Sequence, residues 1–383
     1  MAPLQLKSPR GGPLSLLLFG IAITGFFALL AFPITDGFFG AMILQAHNQK
    51  IGANHSHFDT ALTNWTLFDD LTNALTLFFY DLVDASSADI TLLMVPFGGS
   101  AMGVWLLGMI ESNRKGNKGR LPAFYTTMAM LGQLAGLGFI SPIFYAMSLR
   151  EQRASWHGSD VTVAPEALYT IPISIFLGMA GPTALAALPA PSVLSINQKV
   201  NLVRLWEMFP FLVYLVHLAL TPLARWILER SGQRDSHRRQ RLQFVYSIGF
   251  LWSAAPYWYW LAMVFSASAF PFAFAPKITK AWNFRHMLRL TNPFLLGSPL
   301  PPIPTAEFWF LQWDFWLIGV SCFVWALSLR LETPKLDALY LKGGIVVEAL
   351  AYAIALGPVG AAIVLIWQRD MLLIKDDDRC KQA

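Results

Sequence analysis

Residues 14–34 read LSLLLFGIAITGFFALLAFPI, an apolar run without a charge. A transmembrane helix needs about 20 mostly apolar residues to cross about 30 Å of hydrocarbon, and this run supplies them. Lys7 and Arg10 precede it, as they would in a signal peptide. The run is longer than the h-region of roughly 7–15 residues in such peptides, so a retained signal anchor is expected. Stretches of the same character recur near 90–110, 123–148, 168–189, 203–224, 243–268, 308–329 and 345–367. The expected fold class is all-α: a polytopic transmembrane helical bundle of about eight spans, or seven if one segment is re-entrant.

Composition agrees. The chain has 383 residues, 55% of them hydrophobic and 13% charged. Soluble domains carry about 25% charged residues, so the departure is mainly a loss of charge. Aromatic residues comprise 29 Phe, 14 Trp and 10 Tyr. Such a chain is neither disordered, nor a basic nucleic-acid-binding domain, nor a small disulfide scaffold. Of its two cysteines, Cys322 falls inside an apolar stretch and Cys380 in the tail. The ending Cys380-Lys-Gln-Ala383 lacks the aliphatic residues of a prenylation box.

Loop charges set the expected orientation. Residues 35–89 carry Lys50 against seven aspartates, a net of −6, whereas residues 111–122 carry a net of +3. Lys and Arg stay cytoplasmic, so the N-terminus is expected in the cytoplasm and 35–89 in the lumen, with the endoplasmic reticulum as the expected membrane. The sequons Asn54-His-Ser56 and Asn64-Trp-Thr66 fall in that lumenal loop and are candidate glycosylation sites. One loop disagrees. Residues 225–241 carry a net of +4 but lie outside if every stretch spans. Either the charge rule fails there or a segment between 168 and 224 is re-entrant; Pro165, Pro172, Pro182, Pro189 and Pro191 make that region the suspect.

No stretch outside the spans is fit to build a soluble domain, so residues 1–383 are expected to form a single integral-membrane domain. Within 35–89, Leu62, Trp65, Leu67, Phe68, Leu71 and further apolar residues at helical spacing predict an amphipathic helix on the lumenal face. Residues 269–307, rich in Pro and basic residues, are expected to form a structured cytoplasmic loop.

Ionisable residues inside a membrane are costly and are functional candidates by default. Asp314 stands in Phe308-Trp-Phe-Leu-Gln-Trp-Asp-Phe-Trp316. Trp309, Trp313 and Trp316 recur at i, i+4 and i+7, and Phe310 stands four residues before the acid. A desolvated carboxyl stays protonated near neutral pH and becomes a proton donor; the plainer reading is a hydrogen bond between helices beside an interfacial Trp belt. Glu207, in Trp206-Glu-Met-Phe-Pro210, shares a face with Phe211 and Tyr214, and it is expected to share a cytoplasm-facing pocket with Asp314. The plainer reading pairs it with Arg204. His217 reads as a satisfied core residue, Asp36 as a mark of the water interface, and Glu348 as an acid at the outer end of the last span. Asp69, Asp70, Asp81, Asp84 and Asp89 resemble half of a metal-diphosphate site, but no second acidic motif completes it, and no metal is expected. Phosphate-binding Gly loops, G-x-S-x-G, H-E-x-x-H, iron boxes and haem signatures are missing.

The chain resembles the fungal integral-membrane terpene cyclases of the ascofuranone and macrophorin type. The likeness covers the whole layout, including Asp36-Gly-Phe-Phe-Gly40, Trp206-Glu-Met-Phe-Pro210, Thr291-Asn-Pro293 and Gln312-Trp-Asp-Phe-Trp316. It implies proton-initiated cyclisation of the prenyl tail of a meroterpenoid, at an alkene or epoxide, without a cofactor. The implied partners are a hydrophobic prenylated small molecule and membrane lipid, with no nucleic acid. Such chemistry needs one desolvated acid and ring faces that stabilise carbocations. The expected donors are Asp314 and Glu207; the expected walls include Trp309, Trp313, Trp316, Phe310, Tyr214 and Trp258. The alternative is a non-enzymatic membrane transporter or lipid-binding bundle whose acids serve packing or gating.

Overall fold

The computed structural model describes residues 12–51, 56–60, 62–63, 65–151, 156–232, 237–333 and 339–382. Asn54, Asn64, Lys7 and Arg10 lie outside these residues. The structure is an all-α bundle; among the described residues the named strands are only Lys50–Ile51 and Ser56–His57. Its main helices are α1 (Gly12–Thr35), α2 (Phe38–His47), α3 (Thr66–Val83), α4 (Ala88–Ser112), α5 (Tyr125–Ala135), α6 (Leu137–Arg150), α7 (Pro165–Ala186), α8 (Ile196–Glu207), α9 (Phe209–Arg230), α10 (Arg238–Ala269), α11 (Ile303–Leu331) and α12 (Leu339–Gln382). Among the described residues, six segments qualify by length and composition to cross a membrane: α1, α4, α7, α9, α11 and residues 342–375 of α12.

Direction is a separate matter, and two of the eight apolar stretches turn back on themselves. Residues 123–148, expected as a span, form a hairpin of α5 and α6. Glu151 accepts hydrogen bonds from the Arg120 guanidinium at 2.6 Å and the Leu121 N–H at 2.9 Å. A straight helix would hold residues 121 and 151 about 45 Å apart. The turn is Gly136, with φ 85° and ψ 129°, a conformation open to glycine. The last stretch does the same. In α12, Gly357 has φ 76° and ψ 159°, Pro358 follows, and Gln368 Nε2 donates to Glu348 Oε1 at 3.1 Å. A straight helix would separate that pair by about 30 Å. Meanwhile α10 runs the full depth, from Tyr246 beside Asp370 at one end to Ser268 beside Phe284 at the other. Six helices thus traverse the bundle (α1, α4, α7, α9, α10 and α11), and two hairpins enter and leave on one face.

Because α5 and α6 double back, the later traversing helices α7, α9, α10 and α11 run opposite to the expected direction. The strongly basic loop then falls on the same face as Arg114: Arg225 Nε pairs with Glu166 Oε1 at 3.0 Å, beside the Val161 carbonyl that Arg114 reaches at 2.7 Å. The re-entrant segment is 123–148, not one between 168 and 224. Segment 269–307, expected across the membrane from 35–89, packs against it instead. Trp282 Nε1 donates to the Ala88 carbonyl, His286 Nε2 meets Asp89 Oδ2 at 2.9 Å, and the Gly297 N–H reaches Thr35 Oγ1. We refer to these two sides as the Arg114 face and the Asp36 face.

A charge cluster closes the Arg114 face. The side chain of Arg114 has no exposed surface; it pairs with Glu111 at 2.8 Å and Asp370 at 2.7 Å. Arg369 joins both acids, and the Tyr246 hydroxyl donates to Asp370 at 2.6 Å. Opposed charges and hydrogen bonds together satisfy what neither ion would tolerate alone in a dry interior. The cluster ties α4 and α10 to the returning arm of α12.

Candidate active site

Under the Asp36 face, α1, α2, α3, α4, α7, α8, α9, α11 and the α5–α6 turn surround a cavity of ≈ 270 Å³. Small-molecule sites run from roughly 300 Å³ upward, so this one suits a compact ligand. Its walls are aromatic: Phe38 and Phe39 of α2, Phe78 and Phe79 of α3, Trp206, Phe209 and Phe310. The rings brace one another, with centroids 5.2 Å apart for Phe78 and Phe310 and 4.8 Å for Phe79 and Trp206. Two helices break their regular winding to reach it. One π-turn at Phe27–Ala31 presents Leu29 and Leu30, and another at Phe176–Ala180 presents Met179. Such bulges often mark functional sites because they re-aim side chains without ending the helix.

Asp314 is the one ionisable side chain among the lining residues. Its Oδ1 accepts a hydrogen bond from the Gly138 N–H at 2.5 Å. Gly138 is the second residue of α6, so that N–H lacks a partner within its helix. The carboxyl therefore caps a helix start from across the bundle, where the peptide dipoles favour negative charge. Contact this close needs glycine. A Cβ on Gly138 would lie 2.9 Å from Asp314 Oδ1 and 2.8 Å from the Leu317 side chain. Gly25 of α1 makes the matching allowance behind, since a Cβ there would meet the Gly138 carbonyl at 2.7 Å.

The α5–α6 turn also reaches Glu207. Gln133 Nε2 donates to the Glu207 carbonyl at 3.1 Å, while the Glu207 carboxyl accepts from Thr76 Oγ1 at 2.7 Å. Glu207 stands at the rim between two wall residues, Trp206 and Phe209, rather than in the wall. The two expected acids thus approach one cavity, Asp314 in its wall and Glu207 at its rim.

The expected walls divide. Phe310 lines the cavity. Trp309 and Trp313 face a small crevice beside Asp36, and Trp313 Nε1 donates to the Thr291 carbonyl. Trp316 packs on Trp260 with centroids 6.4 Å apart. Tyr214 is exposed, and Trp258 donates to the Ala355 carbonyl near the second hairpin turn. The stripe of three Trp lies on a different face of α11 from the acid. Phe38, Phe39, Phe78, Phe79 and the turn residues Gln133–Leu137 take the wall role. The two Phe pairs were visible as Phe-Phe doublets, and Gly136-Leu137-Gly138 as a break in an apolar run.

Other acids have local partners. Asp36 Oδ1 accepts the Phe38 N–H at 2.9 Å, and burial raises its carboxyl above the usual range. Asp84 pairs with Lys199 at 2.8 Å and Asp89 with His286 at 2.9 Å. His217 Nδ1 meets Thr170 Oγ1 at 3.0 Å, and Glu348 accepts from Tyr352, on the Arg114-face hairpin rather than at the far end of a span.

The CtvD domain family matches residues 14–374, and the chain belongs to that family. It is 27% identical to the terpene cyclase ascI of Acremonium egyptiacum over 82% of this chain and 80% of that one. It is 22% identical to the terpene cyclase atmA of Aspergillus flavus, over 91% of this chain and 94% of that one. To the terpene cyclase ctvD of Aspergillus terreus it is 24% identical, over 91% and 96%. No solved structure matches the chain.

Proposed function

We propose that this CtvD-family chain is a membrane-bound terpene cyclase that folds and protonates the prenyl tail of a meroterpenoid. One observation carries the reading: a single buried carboxyl, Asp314, faces a cavity walled by rings. The Asp314 O–H proton passes to the terminal alkene carbon, or to an epoxide oxygen whose C–O bond then opens to leave a hydroxyl, and the tail becomes a tertiary cation. The next alkene attacks that cation, closing a ring and moving the positive charge along the chain. Loss of a proton beside the last cation to solvent restores an alkene, and solvent reprotonates Asp314, so the alkene reaction is a net isomerisation that needs no redox partner. The Gly138 N–H and the α6 dipole stabilise the carboxylate left behind. Phe78, Phe310 and Trp206 offer ring faces to the travelling charge, at about 2 kcal/mol or more each when water is excluded.

The same reading puts the Arg114 face in the cytosol, because it gathers the basic loops at 111–122 and 225–241. The Asp36 face, with the sequons at Asn54 and Asn64, is then lumenal in the endoplasmic reticulum.

Incubating the detergent-purified chain with a farnesylated phenol, or its terminal epoxide, tests the reading. Cyclised product is expected without any gradient, and Asp314→Asn should lower kcat at least about 100-fold, as loss of a general acid does. A variant that cyclises at the wild-type rate removes Asp314 from the role. Flux of the substrate across vesicles, with no new product, would favour a transporter instead.

A further inference from the structure

A second pocket, of ≈ 640 Å³, opens on the Asp36 face. More of its lining is polar than in the aromatic cavity: Lys277, Lys280, Ser86, Ser87 and His286 stand on its walls with Asp81 and Asp89, the last paired with His286. Three helices pass from one space to the other. Met42 of α2 lines the cavity and Gln45 the pocket; Phe78 of α3 lines the cavity and Asp81 the pocket. On α11, Phe310 lines the cavity and Ile303 the pocket, with Glu307 between them. Steps of three residues on two helices and two turns on a third place the pocket directly above the cavity, about 5–10 Å nearer the surface.

The partition between them is made of side chains. On one side is the Phe78–Phe310 ring contact at 5.2 Å. On the other is a carboxyl pair. Glu307 has no exposed surface, and no N–H or hydroxyl reaches either of its oxygens; the group it faces is the Asp81 carboxyl. Neighbouring carboxyls, one fully buried and one half-buried, resist carrying two negative charges at once. Such a pair can accept a hydrogen bond from a hydroxyl and donate one in return.

We propose that the polar pocket is the binding site for the non-terpene head of the substrate, an acidic or hydroxylated ring. Lys277 and Lys280 pair with its negative charge, and the Asp81–Glu307 pair meets its hydroxyl. The prenyl tail passes between Phe78 and Phe310 into the aromatic cavity and reaches Asp314. The head stays at the wet surface and the tail enters the dry chamber, so the enzyme orients an amphipathic molecule by matching each end. This inference rests on the cyclase reading for the identity of the ligand, but not for its location.

Equilibrium binding of two labelled probes to the purified full chain tests it: a farnesylated dihydroxybenzoate, and the same compound methylated at its carboxyl and both hydroxyls. The double variant Lys277→Ala/Lys280→Ala changes only exposed side chains. It should raise Kd for the charged probe at least tenfold and leave Kd for the methylated probe within twofold. An unchanged Kd for the charged probe, as expected if the head stays in the bilayer or solvent, overturns the proposal. So does an equal loss for both probes, or a wild-type chain that binds neither. Binding that behaves as expected without any cyclised product would leave the head site standing and sink the cyclase reading alone.

Discussion

Gly138 and Asp314 stand 176 residues apart in the chain and make the closest polar contact in the cavity. Adding a methyl group to Gly138 would force the carboxylate or Leu317 aside. Gly138→Ala should therefore lower kcat roughly 10- to 100-fold, the usual cost of misplacing a reacting group by about an ångström. The protein should still insert, which a folded, membrane-extracted yield would verify. Asp81 gives a second prediction at this scale. Burial first, then the charge of Asp84, raises its carboxyl from 3.8 to about 6. The fold thus favours the protonated form. Its contribution to stability is complete below pH 3.8 and is lost as the pH rises through about 6. Melting curves in detergent should show Tm falling across that window, and Asp81→Asn should flatten the fall.

At the level of elements, every apolar run in the sequence became helix, yet two of the eight turn back. Hydropathy reports that a stretch is buried in lipid or protein; it says nothing about the direction in which the stretch leaves. The α5–α6 hairpin and a straight span have the same composition. The only local trace is Gly136-Leu137-Gly138, and glycine is common in membrane helices. The +4 charge of 225–241 was the stronger clue. It signalled a reversal upstream but not which segment held it, and the prolines drew attention to α7, where a π-turn and an inner proline leave the helix continuous. Similarly, the i, i+4, i+7 spacing groups Trp309, Trp313 and Trp316 on one side of α11, but periodicity cannot say which side meets the cavity. In a Cys380→Ser background, cysteines at Ser86 and Lys280 should react with an impermeant maleimide from one side of sealed microsomes, and cysteines at Lys118 and Ser231 from the other. Reaction of the Ser86 and Lys280 variants from opposite sides would restore the eight-span arrangement.

Across the whole molecule, the two faces are built differently. The Arg114 face is locked by buried ions, and the Asp36 face holds the open pocket and the cavity beneath it. Removing Arg114 would strand Glu111 and Asp370 in the interior. Arg114→Met should cost about 3–5 kcal/mol, the range for breaking a buried ion pair, and a drop in Tm with little change in residual specific activity at low temperature would confirm a purely structural role.

The cavity draws its walls from stretches as early as Leu29 and as late as Asp314. Membrane chains are inserted from the N-terminus as they are made, at roughly 5–20 residues per second. The aromatic walls contributed by α2 and α3, and the apolar lining of the α5–α6 turn, are therefore in place well before α11 emerges. Phe310, Leu311 and Asp314 come only with the last traversing helix, so the chamber is closed and given its one carboxyl at the final stage of synthesis.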